Sequence, residues 1–499
     1  MDQPELTANP AAPPALPQAP LEKVCEFPDK LSPMLVKELR QGLRTYTFTS
    51  TFLSLHGILT IVLLIAGTVT LSVDSTGAGT VVSKIVFCFY GLALLVIQPL
   101  RGISTLSSEI KGNTIDLMVL TRLSAWRIVW GKWSCIVGQS GLILLAVLPY
   151  LIFRYFFGGM QLFSELFLLV YLFVVSATLT ALAIGISGLG SGLIRGVAVV
   201  GGGGFLAWFV LWGLTPNLET FISALSLTSV DTFLLSVGLL VLAVYLGYFS
   251  LEVATSFIAP AAENRATHKR LIGLGVAVLA FIAVQFYDLT AAVLAAGFVG
   301  ILLSFDAFSE DPTFPRAVTR PFLRWGSLGR LGGRLLYPGW ITGNLFVLAF
   351  STTLALLILI FGGFEGIGQT PWLALGIISG VMLFPAAMIQ LVARKSPNRH
   401  STYLSFAAIA WCLTCVIAIL YSVVAEDLLY WVFCPIPMVQ GPMAMSFADK
   451  PHGDSLMAIA WISAAVYWVI VMIAAVPGLR LLRELEEEEL AMEEEHADA

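Results

Sequence analysis

The chain has 499 residues, of which 58% are hydrophobic and only 12% charged, with a mean hydropathy of +0.88. A soluble domain carries about 25% charged residues, and a soluble chain this apolar could not cover its surface with polar groups. That excludes a water-soluble globular class and points to a polytopic membrane protein. The formal net charge of −5 is small for this length and suggests no nucleic-acid partner.

The first thirty residues, with NPAAPPALPQAP from Asn9 to Pro20, are Pro/Ala-rich and have no apolar core of a signal peptide. They read as a disordered tail, 1–30. SPMLVKELRQGLRTY follows from Ser32 to Tyr46, with a Ser cap and Pro at the first helical position. Leu35, Leu39, Leu43 and Tyr46 fall on one face; Lys37, Glu38, Arg40, Gln41 and Arg44 take the other. This predicts an amphipathic helix lying on anionic headgroups.

A membrane helix needs about 20 mostly apolar residues. Such runs occur near 48–72, 84–106, 133–153, 162–188, 194–214, 232–256, 271–287, 289–305, 341–363, 372–393, 403–424 and 457–479. Only Tyr287-Asp288-Leu289 separates the seventh from the eighth, which predicts a tight hairpin. Region 429–446 is apolar but broken by prolines and a glycine, so it reads as interfacial or re-entrant. With the N-terminus in the cytoplasm, every Lys and Arg except Lys84, Arg154 and Lys450 falls on the inside. The expectation is an all-α polytopic helical protein of the cell membrane, with about twelve spans and both termini cytoplasmic. The acidic end ELEEEELAMEEEHADA reads as a solvated, frayed helix.

Between the second and third spans lies a polar island, SEIKGNTIDLMVLTRLSAWRIVWGKW, from Ser108 to Trp133. It carries Glu109, Lys111, Asp116, Arg122, Arg127 and Lys132, far more charge than its surroundings. Gly112 and Asn113 end one helix; Asn113 or Thr114 caps the next, with Asp116 in its first turn, where the helix dipole favours an anion. Ser124 caps another, which carries Trp126 and Trp130 at the headgroup level. The product is a helix–turn–helix across the cytoplasmic surface, with a tip at Leu120 to Ser124 for a soluble partner to grip.

No GxxxxGK[ST] phosphate loop, HExxH or GxSxG occurs in the sequence, and the five histidines are scattered. The six cysteines form no framework; Cys412-Leu-Thr-Cys415 reads as two small packing residues. Gly201 to Gly204 in the fifth span read first as close helix packing, and second as a low wall of a transport path. Mid-span carboxylates, the usual mark of an ion-coupled transporter, are nearly absent. Energy for any transport therefore has to come from another subunit.

Taken in order, these features resemble the type-2 ABC exporter permeases. The resemblance rests on PMLVKELRQGLR, one span out and one back, E-x4-T-x-D-L-x2-L-T, IVWGK (Ile128 to Lys132), and Pro149 in the third span. It covers roughly residues 32–257. At the tip, where the family commonly has Thr-Pro, this chain has Thr121-Arg122. The resemblance implies that the island couples to a separate ATP-binding subunit through Glu109, Thr114, Asp116, Leu117, Leu120 and Thr121. It also implies an interfacial helix with Lys37, Glu38, Arg40 and Arg44, a homo- or heterodimeric pore in contact with membrane lipids, and no cofactor or metal in the permease. The domains expected are a six-span permease-like unit over 31–257, a second six-span unit over 258–480, and an acidic tail over 481–499. The alternative is a membrane-embedded lipid or glycan transferase or an assembly factor, using Glu426, Asp427, His452 and Asp454. A secondary transporter ranks third.

Overall fold

The computed structural model describes residues 33–72, 78–112, 124–156, 162–189, 192–224, 230–260, 263–312, 318–362, 369–396, 398–423, 436–441 and 453–498. Among them there is no strand, and twelve helices are long and apolar enough to cross a membrane. Lipid offers no partner to a backbone N–H or C=O, so a crossing segment has to satisfy its own, and an apolar helix does. The spans run Tyr46–Thr68, Gly79–Lys111, Ala125–Tyr155, Phe163–Gly188, Gly192–Leu214, Thr232–Ser256, Arg265–Val284, Leu289–Ser309, Trp340–Gly362, Gln369–Val392, Arg399–Ile417 and Ser455–Glu489. The chain is thus an all-α, multi-pass helical protein.

The spans pack around two main cores. Leu59, Phe87, Tyr90, Leu94, Val147 and Val210 belong to the first, built from the early spans. Phe281, Val293, Phe350, Leu375, Met382 and Val471 belong to the second. The sixth span joins them: its Tyr245, Phe249 and Val253 pack in the second core, while Leu251 and Ala254 pack beside Leu106, Ile128 and Ile184 of the first bundle. The expected hairpin at Asp288 forms, and the Asp288 carboxylate accepts the Ala291 N–H at 2.6 Å to cap the eighth span.

Two spans are not regular α-helices. The second widens into a π-turn over Leu92–Ile97, just before Pro99, whose missing N–H cannot continue the ladder. Ser176 of the fourth span donates to the Leu94 carbonyl at 2.6 Å within that turn. The fifth span has π-turns on both sides of Gly203, over Ala198–Gly202 and Phe209–Leu214. The close-packing reading of the four glycines holds for Gly203 alone, where a Cβ would lie 3.2 Å from Leu100; at Gly202 and Gly204 it would meet nothing.

The acidic end departs from the expectation of a frayed, solvated helix. The last helix runs unbroken over Gly453–Asp498. Leu482 is buried with Val318 and Tyr337, and Glu486 and Glu489 are each 1% exposed. Glu486 pairs with Arg334 and Glu489 with Arg320, each at 2.6 Å. Two of its carboxylates are therefore docked on a basic surface helix, Gly326–Leu336, and its flank, while Glu484, Glu487 and Glu488 stay exposed as expected. Within region 429–446, the described residues 436–441 are packed inside: Val439 lies with Leu373, Leu456 and Ala460, and Gln440 donates to Ser463 at 3.3 Å.

Candidate functional site

The island's described root is held by charge. Lys132, two turns into the helix Ala125–Tyr155, is 6% exposed. Its Nζ lies 2.6 Å from Glu109 Oε1 and 3.6 Å from Glu38 Oε1, and both carboxylates are 17% exposed. Glu109 comes from the short helix Thr105–Lys111, on the entry side of the island, and Lys132 from its exit side. Glu38 comes from the N-terminal helix Pro33–Leu43. Three segments distant in sequence thus meet at one ammonium group. A cation so little exposed persists only when paired, since desolvation would otherwise disfavour its charge.

Polar and apolar contacts stiffen the same joint. The Ser187 hydroxyl of the fourth span accepts the Leu106 and Ser107 N–H groups at 2.9 and 3.0 Å, meeting two of the orphan donors at the start of the short helix. Arg195 of the fifth span donates to Ser107 Oγ. The Cys135 thiol donates to the Glu38 carbonyl at 3.1 Å. Leu106, Ile128 and Val129 are completely buried against Ala181, Ile184, Leu251 and Ala254. Trp126 meets Tyr248 edge-on at 5.9 Å, and Tyr248 donates to Glu252, so the contact continues onto the sixth span.

A cavity of about 580 Å3 opens beside the joint, lined among others by Glu38, Thr45, Arg101, Lys132, Cys135 and Gln139. Arg101 donates to Gln98 at 2.9 Å and to Gln139, and its guanidinium lies 5.8 Å from the Phe48 ring centre.

Of the residues singled out in the sequence, Glu38 and Glu109 come together here. Lys37 and Arg40 are exposed on the far side of the helix and Arg44 is exposed just past its end, while Leu39 lies against the third span at Gly138. The expected lipid-facing row is therefore partly a packing face. Ser124 sits at the start of its helix as expected, but its carbonyl takes the Arg127 N–H at 3.0 Å and its hydroxyl makes no cap. Thr114, Asp116, Leu117, Leu120 and Thr121 lie outside the described residues, as do Glu426, Asp427 and His452.

Buried charge is richer than the sequence suggested. Lys269 lies 2.6 Å from Asp306 and 3.3 Å from Glu310, and Arg270 lies 3.0 Å from Glu310. Asp306 is 1% exposed. These carboxylates sit at one end of the eighth span, and each has a cation. Burial pushes the Glu310 carboxyl up, but Lys269, Arg270 and the Gly339 N–H outweigh burial and hold it below the ordinary carboxylate value. Sequence reasoning missed the set because the partners lie about forty positions apart. Among the described residues, no group of His, Cys, Asp and Glu is placed to hold a metal ion.

No family model, curated protein or solved structure matches the chain. Its function has to be argued from its own residues.

Proposed function

We propose that the chain is the membrane permease subunit of an ATP-driven transporter, working as an exporter, whose energy comes from a separate soluble ATPase docked on the island. The observation that carries this reading is the Lys132 joint. A docking projection transmits work only if its base is stiff. Here the entry helix of the island, its exit helix and the N-terminal helix are tied at one buried cation, and Leu106 and Ile128 fix them to the fourth and sixth spans. A push on the island then moves these elements as one body, and the cavity beside Glu38 and Arg101 with them. The sequence has no phosphate loop, so nucleotide chemistry belongs to the partner. On this reading both termini and the island face the cytoplasm, and two permeases, alike or related, enclose the path.

The test is purification of the tagged full chain from its own membranes in mild detergent. The proposal expects a soluble subunit with a phosphate loop to copurify, and ATP hydrolysis to belong to the pair and not to the chain alone. ATP hydrolysis by the pure chain, or a chain that moves its cargo with no ATPase attached, would overturn it.

A further inference from the structure

The end of the first bundle opposite the N-terminal helix holds a second polar cavity, of about 520 Å3. That is within the range of small-molecule sites, about 300–1,000 Å3. Four segments build it: the start of the second span (Ser83, Lys84), the end of the third (Arg154), the start of the fourth (Glu165), and the short helix Leu218–Ala224 (Glu219).

Its floor is fixed. Arg154 and Glu165 are each 2% exposed and meet at 2.7 Å. Arg154 Nε donates to the Gly79 carbonyl at 3.0 Å, and Ser83 donates to the other Glu165 oxygen at 3.4 Å. Its rim is loose. Lys84 and Glu219 are 35% and 71% exposed and stand 3.9 Å apart, too long for a hydrogen-bonded pair. An exposed pair of this kind is easily opened by a competing ligand.

The lining carries two cations and two anions, and that balance selects a ligand. An anion alone would gain from Lys84 and be repelled by Glu219 beside it; a cation alone would meet the reverse. A molecule with a negative and a positive end on a short spacer engages both. The described lining has no aromatic ring, which disfavours a quaternary ammonium, whose usual recognition is an aromatic cage. A primary ammonium can instead donate hydrogen bonds to the Glu219 carboxylate. The cavity lies at the ends of spans, the level at which headgroups meet water.

We infer that this cavity binds a phosphoethanolamine headgroup, with the phosphate at Lys84 and the ammonium at Glu219. The headgroup comes from a bilayer lipid or from a soluble glycerophosphate ester, and the two sources are separable by experiment.

The probe is glycerophosphoethanolamine, titrated calorimetrically into the delipidated full chain in maltoside. Glycerophosphocholine, glycerol 3-phosphate and ethanolamine are the comparisons. Saturable binding of the first is expected, at least about tenfold tighter than of the other three. Lys84→Glu and Glu219→Lys should each weaken it about tenfold, while the double exchange restores it to within about threefold, because both signs are present again. Circular dichroism and elution volume report whether each variant is folded. Native mass spectrometry from nanodiscs of mixed phosphatidylethanolamine and phosphatidylglycerol tests the lipid source. Retained phosphatidylethanolamine that is lost in the single variants and regained in the double one assigns the site to the bilayer; saturable binding without that enrichment assigns it to the soluble ester. The inference is overturned if neither form binds, if either single-sign compound binds as well, or if the double exchange is no better than the singles.

Discussion

Replacing Lys132 by methionine keeps the apolar stem of the side chain and removes its charge. Glu109 and Glu38 then face each other's region with no cation between them. Removing one partner of a fully buried ion pair costs about 3–5 kcal/mol, because the other charge stays behind. The two carboxylates here are 17% exposed and keep some water. The expected loss is therefore smaller, about 2–4 kcal/mol of local stability. Glu38→Gln leaves the 2.6 Å contact to Glu109 intact and should cost about 0.5–1.5 kcal/mol. Amide hydrogen exchange over Pro33–Leu43 and Thr105–Lys111 reads these numbers directly. For Lys132→Met it should rise roughly thirtyfold to several hundredfold in both helices together. A rise in only one helix, or exchange within about threefold of the parent, would refute the idea that Lys132 ties them.

Glu310→Gln leaves Lys269 and Arg270 with Asp306 as their remaining anion and should cost about 3 kcal/mol. The folded Glu310 carboxyl is held below its ordinary value of 4.5, so its stabilisation is complete above that range and is lost as pH falls through the folded value. Thermal stability of the parent in detergent should thus fall on acidification from pH 5 to about 3, more steeply than that of Glu310→Gln; parallel curves would contradict this. Gly343→Ala would place a methyl 2.7 Å from the Ala307 carbonyl oxygen, which is backbone and cannot rotate away. A loss of about 1–3 kcal/mol is expected, seen as a lower melting temperature, and an unchanged one would show that the two spans can slide apart. For topology, a cysteine at exposed Asn217 should react with an impermeant reagent outside intact cells, and one at exposed Ser327 should not; reaction at Ser327 would reverse the assigned orientation.

Hydropathy made the spans legible, since a stretch such as Trp340–Gly362 has no other way to bury itself, and Asp288 announced its turn by its position between two apolar runs. What periodicity does not carry is the rotation of one helix against another. Lys132 in the sequence is a basic residue at a span end, and nothing local tells that Glu38 and Glu109 will stand beside it. Arg154 and Glu165 are two separate charges near span ends in the sequence, and only the packing of the third and fourth spans brings them to 2.7 Å. The acidic end misled in part for the same reason: its charge pattern is that of a solvated face, and only the position of Arg320 and Arg334 on other elements docks Glu489 and Glu486. The π-turn before Pro99 was half legible, because Pro99 marks the fault but not the way it is absorbed.

The measurement that bears most directly on the permease reading is retention of the ATPase by island variants. The proposal gives Leu117 and Leu120 the apolar contact with the ATPase, and a leucine buried at such an interface is worth roughly 1.5–3 kcal/mol. Leu117→Arg and Leu120→Arg chains should reach the membrane at normal abundance and copurify without the ATPase, whereas Asp116→Asn should keep most of it, since an exposed charge contributes about 0–1 kcal/mol. Leucine variants that remain in the membrane and still hold the ATPase would contradict docking at the island, and with it the proposed coupling.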